Sequence, residues 1–261
     1  ANEMWRDASS LIRKSLEEAD RDLRFQWFFR LAECARDELD DLAEAAACFE
    51  VCLGIEPENL ASLGALDPLY GQQEAWGKQV ETKEKLLSLT TDKSERADLL
   101  LALSFLYDER LEQTEAARKS CGRLVEEQPA HLLGLERQAE LFRRGQLWSP
   151  LEKNLRMQLA ARTELTQLAA LHRELATLYD EQLEFPARAV DSWRELLVLE
   201  PGDEQAKQEL DRLLSDAKRF PELLDHLSYM LEHGAEGERA TNLYLRRARI
   251  LRDELEQPER S

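Results

Sequence analysis

Glycine and proline are scarce in this chain, 10 and 8 in 261 residues, which removes the turn chemistry that many short strands would need. Long apolar runs are missing too. No stretch approaches the roughly 20 uninterrupted apolar residues that cross a bilayer, and the first residues lack the charged, apolar and small-residue order of a secretion signal. A cytoplasmic location without membrane insertion is expected. The four cysteines, Cys34, Cys48, Cys52 and Cys121, make no CxxC pair and no disulfide framework, so reduced, buried thiols are expected. Cys48 and Cys52 stand one helical turn apart, yet no histidine is near enough to complete a metal site. Positive charge is in deficit: 35 Lys+Arg face 53 Asp+Glu, a net charge of -18. Such a surface repels phosphate backbones and anionic lipid headgroups, so it argues against nucleic acid and leaves proteins or peptides, basic ones above all, as partners.

What the chain does contain is helix-forming residues and a long period. Leu, Ala, Glu, Arg and Gln fill the positions between short breaker clusters. Pro57, Pro129 and Pro201 lie 72 residues apart in the phrases IEPEN, EQPAH and LEPGD. Leu39, Leu111, Leu183 and Leu255 keep that step, as do Ala45, Ala117 and Ala189, and the aromatics Trp76, Trp148 and Phe220. Pro186 and Pro258 keep it as well. A unit of this length is too long for one helical hairpin and divides into two. Units are expected near 22–93, 94–165 and 166–237, with partial units at both ends. In the third unit the spacing predicts helices near 165–182, 187–199, 203–217 and 221–233, with Pro186 and Pro221 in first turns and Pro201 stopping a helix. Thr91 or Asp92 can cap the helix that carries Leu99, Leu103 and Tyr107. Gly64 and Pro68 predict a kink or a late start in the helix around them.

The first hairpin of each unit resembles the tetratricopeptide repeat. Its first helix shows a large residue, then Leu with a small residue, then another large one: His172, Leu175, Ala176 and Tyr179, or Leu100, Leu103, Ser104 and Tyr107. The first unit has Phe28, Leu31, Ala32 and Ala35. The second helix shows Ala189, Trp193, Leu196 and the closing Pro201, matched by Ala45, Phe49, Cys52 and Pro57. The second hairpins fit only in part, through Leu63, Leu66, Tyr70 and Trp76, and lack the closing proline. Small residues let paired helices approach and large ones fill the groove, so these stripes read as core. The resemblance implies an all-α fold, a right-handed α-α superhelix of antiparallel helical hairpins, about 14 helices in all. Residues 5–18 read as the last helix of a preceding unit and 238–256 as the first of a following one, which implies a piece of a longer array with apolar surface at Tyr244, Leu251 and Leu255.

No nucleophile with a base, metal cluster or phosphate-binding glycine loop is present, so no catalytic, cofactor or metal residues are assigned. His131, His172, His226 and His233 are scattered over different hairpins. The resemblance instead implies a non-enzymatic scaffold or adaptor that binds a partner peptide or helix on the concave face lined by first helices. Carried onto this sequence, that face presents Phe29, Arg30 and Glu33, then Leu101 and Phe105, then Arg173 and Thr177, and finally Arg246 and Arg249 on the last helix. The Lys, Asn and Arg clamp used by repeats that hold acidic chaperone tails is absent, since Phe29, Glu33, Leu101 and Phe105 stand there. Two other roles fit the same pattern: a regulatory or targeting domain of a larger enzyme, and a structural array assembling through its open ends. The composition is like that of long bacterial repeat proteins.

Overall fold

The computed structural model describes residues 20–233 and 236–253, and among them there are thirteen α-helices and no strand. Two compact units are divided between Gln138 and Ala139. In the first, α1 (Arg21–Asp37), α2 (Leu42–Ile55), α3 (Leu60–Gln72), α4 (Trp76–Leu89), α5 (Lys93–Phe105) and α6 (Thr114–Glu127) follow one another, and α7 (Leu132–Arg144) carries the chain across the division. The second holds α8 (Trp148–Ala161), α9 (Leu165–Glu181), α10 (Pro186–Leu199), α11 (Glu204–Asp216), α12 (Phe220–Glu232) and α13 (Gly237–Asp253). Within each unit every helix packs chiefly on its neighbours in sequence, and the short loops make those neighbours antiparallel. Cores follow that order. The small residues Ala32, Ser104, Ala176, Ala45, Ala117 and Ala189 are all fully buried, which lets backbones approach while Phe49, Cys121 and Trp193 fill the space beside them.

Helix boundaries recur as the side chains do. Helices begin at Arg21, Lys93, Leu165 and Gly237, each 72 residues after the last, and again at Trp76, Trp148 and Phe220. The chemistry of the ends explains the regularity. Asn59, His131 and Asp203 occupy one register, and each side chain accepts the amide of the residue three further on, Ser62, Gly134 and Ala206. Asp92 caps α5 by accepting from Ser94 and Glu95. Pro186 and Pro221 sit in first turns, where the missing N–H costs nothing.

The other ends are closed without glycine. Glu74, Gln146 and Lys218 adopt φ of 55°, 52° and 51°, and Asp40, Glu112 and Glu184 take φ of 53°, 55° and 56° in the other register of loops. Around Glu74 the Ala75 amide donates to Tyr70 C=O at 2.9 Å and the Glu74 amide to Gly71 C=O at 3.2 Å. Leu147 with Gln146, and Arg219 with Lys218, repeat this pair of bonds, so three helices end in a Schellman motif whose left-handed residue carries a side chain.

α3 does not start late: it runs as helix from Leu60 to Gln72 with Pro68 inside, the Asn59 cap and the burial of Leu63, Leu66, Leu69 and Tyr70 offsetting one lost backbone bond. One expectation at the other end of the chain needs correction. Leu251 is buried rather than open, while Tyr244 and Leu245 are exposed. The helix expected at 5–18, and Leu255 and Pro258, lie outside the described residues.

Candidate functional site

The nine residues expected on the binding face occupy different local settings. Phe29 stacks on Phe25 and meets Phe49 edge to face, with centroids 5.3 Å apart, so its ring is held within the α1–α2 hairpin. Arg30 is exposed and Glu33 half-buried beside it. Leu101 is half-buried, whereas Phe105 keeps 40% of its surface open. Beneath Phe105 lies Arg137, its guanidinium 4.2 Å from the ring centroid.

That arginine belongs to a buried polar cluster that sequence reasoning missed. Its Nη2 donates to Asp108 Oδ2 at 2.8 Å, and the two side chains are 3% and 1% exposed. Ser104 Oγ stands 3.4 Å from its Nε, Cys121 Sγ lies 3.0 Å from the same hydroxyl, and the Thr114 hydroxyl donates to Asp108 Oδ1 at 3.3 Å. Asp108 sits in Leu106–Arg110, where the helix winds as a π turn, a conformation that tends to mark special sites. No sequence signal distinguishes this aspartate from Asp180, which occupies the same register and pairs with Arg212 at the surface.

In the second unit, Arg173 and Thr177 come together on one wall of a groove of about 590 Å³. Trp148, Leu151, Ala170 and Leu178 give the groove an apolar floor, and Arg143, Glu174 and Glu181 charge its edges. Arg143 grips Glu174 through two parallel bonds of 2.7 and 3.0 Å, the forked geometry that a guanidinium offers a carboxylate. Arg173 reaches the other way, to Glu200 at 3.0 Å and to Asp203. Burial opposes the charge on Asp203, yet the Ala206 amide and Arg173 hold its carboxyl below the usual range. The α9 face is thereby tied to the start of α11, and Thr177 adds stiffness by donating back to Arg173 C=O. Trp148 and Arg143 were not foreseen as lining this groove, since one read as a core anchor and the other carried no motif.

Arg246 is already engaged, donating to Asp211 at 2.5 Å and to Ser215 at 2.8 Å on α11, while Arg249 is exposed. Two further crevices lie between second helices of hairpins. One, about 240 Å³, is lined by Glu50, Leu53, Leu66, Lys78 and Thr82; the other, about 450 Å³, by Arg194, Leu197, Leu210, Glu222 and His226. Residue by residue the two sets are 144 apart. Their charge pairs are reversed, Glu50 with Lys78 at 2.7 Å and Arg194 with Glu222 at 2.6 Å. Among the described residues no group of His, Cys, Asp and Glu is placed to hold a metal, and no helix is long and apolar enough to cross a membrane.

No protein-family model matches the sequence, and no curated protein matches it. Solved structures do. A chain of the Naa15/Naa10 complex bound to HypK-THB superposes with a TM-score of 0.51 at 15% identity, covering 96% of this chain and 39% of that one. A tetratricopeptide repeat protein from Parabacteroides merdae gives 0.45 at 17% identity, over 90% of each chain. YrrB, described as a TPR protein with an unusual peptide-binding site, gives 0.44 at 15% identity over 74% of this chain and 94% of its own. At such identities the likeness is one of fold, and the fold is a tetratricopeptide-like helical repeat.

Proposed function

Taking the tetratricopeptide-like helical repeat as premise, we propose that this chain is a non-enzymatic interaction scaffold that seats an extended peptide or helix of a partner protein in the groove on α9. The observation that carries this reading is the groove itself: an apolar floor of Trp148, Leu151 and Leu178 beneath a rim with Arg173, Thr177 and Glu181. A concave apolar surface with a few fixed polar groups is what a peptide needs to be both held and oriented. The rim is pre-organised, because Arg143 and Arg173 are anchored by ion pairs before any partner arrives. The excess of acid over base in the chain favours partners with basic segments.

Ala170 lies exposed at the groove, so Ala170→Arg fills it without entering the core. Partners captured by the wild-type chain should be lost by this variant while its helical circular dichroism is kept. Capture of the same partners at the same strength would refute the groove as the binding surface. Phe105→Ala, at an exposed ring, reports in the same way on the corresponding face of the first unit.

A further inference from the structure

We propose that Glu109 and Glu181 are two cation subsites, each receiving a lysine or arginine side chain of the partner peptide; this rests on the binding-face reading above and adds the chemistry of what is bound. Glu109 lies in the π turn that follows α5, and Glu181 is the last residue of α9. The two hold one register, 72 residues apart, and each follows an aspartate, Asp108 or Asp180. Those aspartates already have cations, Arg137 from α7 at 2.8 Å and Arg212 from α11. At the ends of α1 and α13 the same two registers read Arg36–Asp37 and Arg252–Asp253, and each arginine bonds the acid beside it at 2.6 Å. Each unit therefore holds one carboxylate at this register that its neighbour neutralises and one that its neighbour does not.

The charges around each glutamate leave acid in excess. Beside Glu109, the one guanidinium of Arg137 faces two carboxylates, Asp108 at 2.8 Å and Glu109 at 3.8 Å, the latter past hydrogen-bond reach. Arg110 turns away to Trp76, 4.8 Å from its ring centroid. Beside Glu181, Arg143 is forked onto Glu174, Arg173 is shared by Glu200 and Asp203, and Arg212 by Asp180 and Glu209, so three guanidiniums meet five carboxylates before Glu181 is counted. Arg188 points instead to Glu152, at 3.6 Å. A carboxylate at the C-terminal end of a helix also opposes the macrodipole, which favours cations there, and the last turn of α9 carries no base. A partner cation thus relieves a repulsion as well as forming a pair. Apolar surface for its stem is at hand: Phe105, one turn before Glu109, is 40% exposed, and Trp148 and Leu178 floor the groove that Glu181 edges. Lysine and arginine lay their methylenes on such surface while the charged head reaches on to a carboxylate.

The test titrates the full chain with two probes, acetyl-Leu-Arg-Ser-Leu-Arg-amide and acetyl-Leu-Gln-Ser-Leu-Gln-amide, and reads affinity from amide NMR shifts. The arginine probe should bind more tightly. Glu109→Gln and Glu181→Gln should each weaken it about two- to fivefold, as for an exposed ion pair, and leave the glutamine probe as it was. The control is Asp37→Asn with Asp253→Asn, which removes as much charge as the two Gln changes together but at the neutralised positions, and it should alter neither affinity. All four residues are exposed, so the fold is kept. An equal loss in the control, an undiminished arginine affinity in the Gln variants, or no preference between the probes would overturn the proposal. Ala170→Arg judges the groove separately. If it abolishes binding of both probes while the Gln variants keep the arginine preference, the subsites fall and the groove reading stands. If it changes neither affinity while the Gln variants lose that preference, the groove reading falls and the subsites stand.

Discussion

Replacing Arg137 by Met should be among the most damaging single changes in the first unit. The substitution keeps most of the packing volume under Phe105 but withdraws the guanidinium from Asp108. Both charged side chains are at least 97% removed from solvent, so water does not replace what is lost. Breaking a buried pair from one side costs about 3–5 kcal/mol, mostly as the penalty of stranding the other charge. Removing both charges, in Asp108→Leu with Arg137→Met, should recover most of that loss, since a well-packed apolar pair is close to neutral relative to a buried ion pair. The molecule supplies its own control. Asp180 holds the register of Asp108 but pairs with Arg212 in a setting where the side chains are 23% and 46% exposed. A double-mutant cycle there should give about 0.2–1 kcal/mol. Urea unfolding followed by far-ultraviolet circular dichroism measures both cycles. If the coupling at Asp108–Arg137 is no larger than that at Asp180–Arg212, burial is not what sets the energy of this cluster.

Three other perturbations have calculable directions. Glu74→Gly, Gln146→Gly and Lys218→Gly should each stabilise by about 0.5–1 kcal/mol, because a side chain in the left-handed region is strained and glycine is not; a lowered melting temperature would refute the strain argument. Pro68→Ala should stabilise α3 by about 1–3 kcal/mol by restoring one backbone bond at an exposed position, and an unchanged urea midpoint would show that the helix had already relaxed around the ring. Burial holds His172 and His226 below the usual imidazole range, so their contribution is complete above about pH 6.5 and is lost as pH falls toward the folded values, where the unfolded chain binds the extra protons. The double variant His172→Leu with His226→Asn should therefore flatten the pH dependence of the second unit's stability between about pH 7 and 5, and a profile parallel to wild type would count against it.

Prolines, capping residues and the small residues of the core were legible because each answers a demand that the backbone makes locally. Pro186 and Pro221 fit first turns, where no N–H is needed, and Ala45, Ala117 and Ala189 mark close approach wherever they recur. The left-handed loop residues were not legible, since Glu, Gln and Lys carry no preference for that conformation and only the closing hydrogen bonds impose it. Nor was the groove on α9. Arg173 and Thr177 could be placed on one helix face from spacing, but Arg143 and Trp148 reach it from other helices, and pairing across helices leaves no trace in a single sequence. Phe29 illustrates the same limit: its spacing set it on an outward face, and the choice of Phe49 as its neighbour depends on how α2 packs.

The reversed pairs Glu50–Lys78 and Arg194–Glu222 bear on how a chain of hairpins repeated in one register avoids assembling out of order. Repeat proteins misfold by docking a hairpin on the wrong copy of its neighbour, since the apolar stripes of every copy are compatible. A slip of 144 residues here would set Glu50 against Glu222 and Arg194 against Lys78. Like charges would then meet where opposite charges belong, and the misassembled intermediate would be raised in energy while the correct one is left untouched. The polarity of a surface ion pair, nearly irrelevant to the stability of the finished fold, thus serves as an address label during its formation.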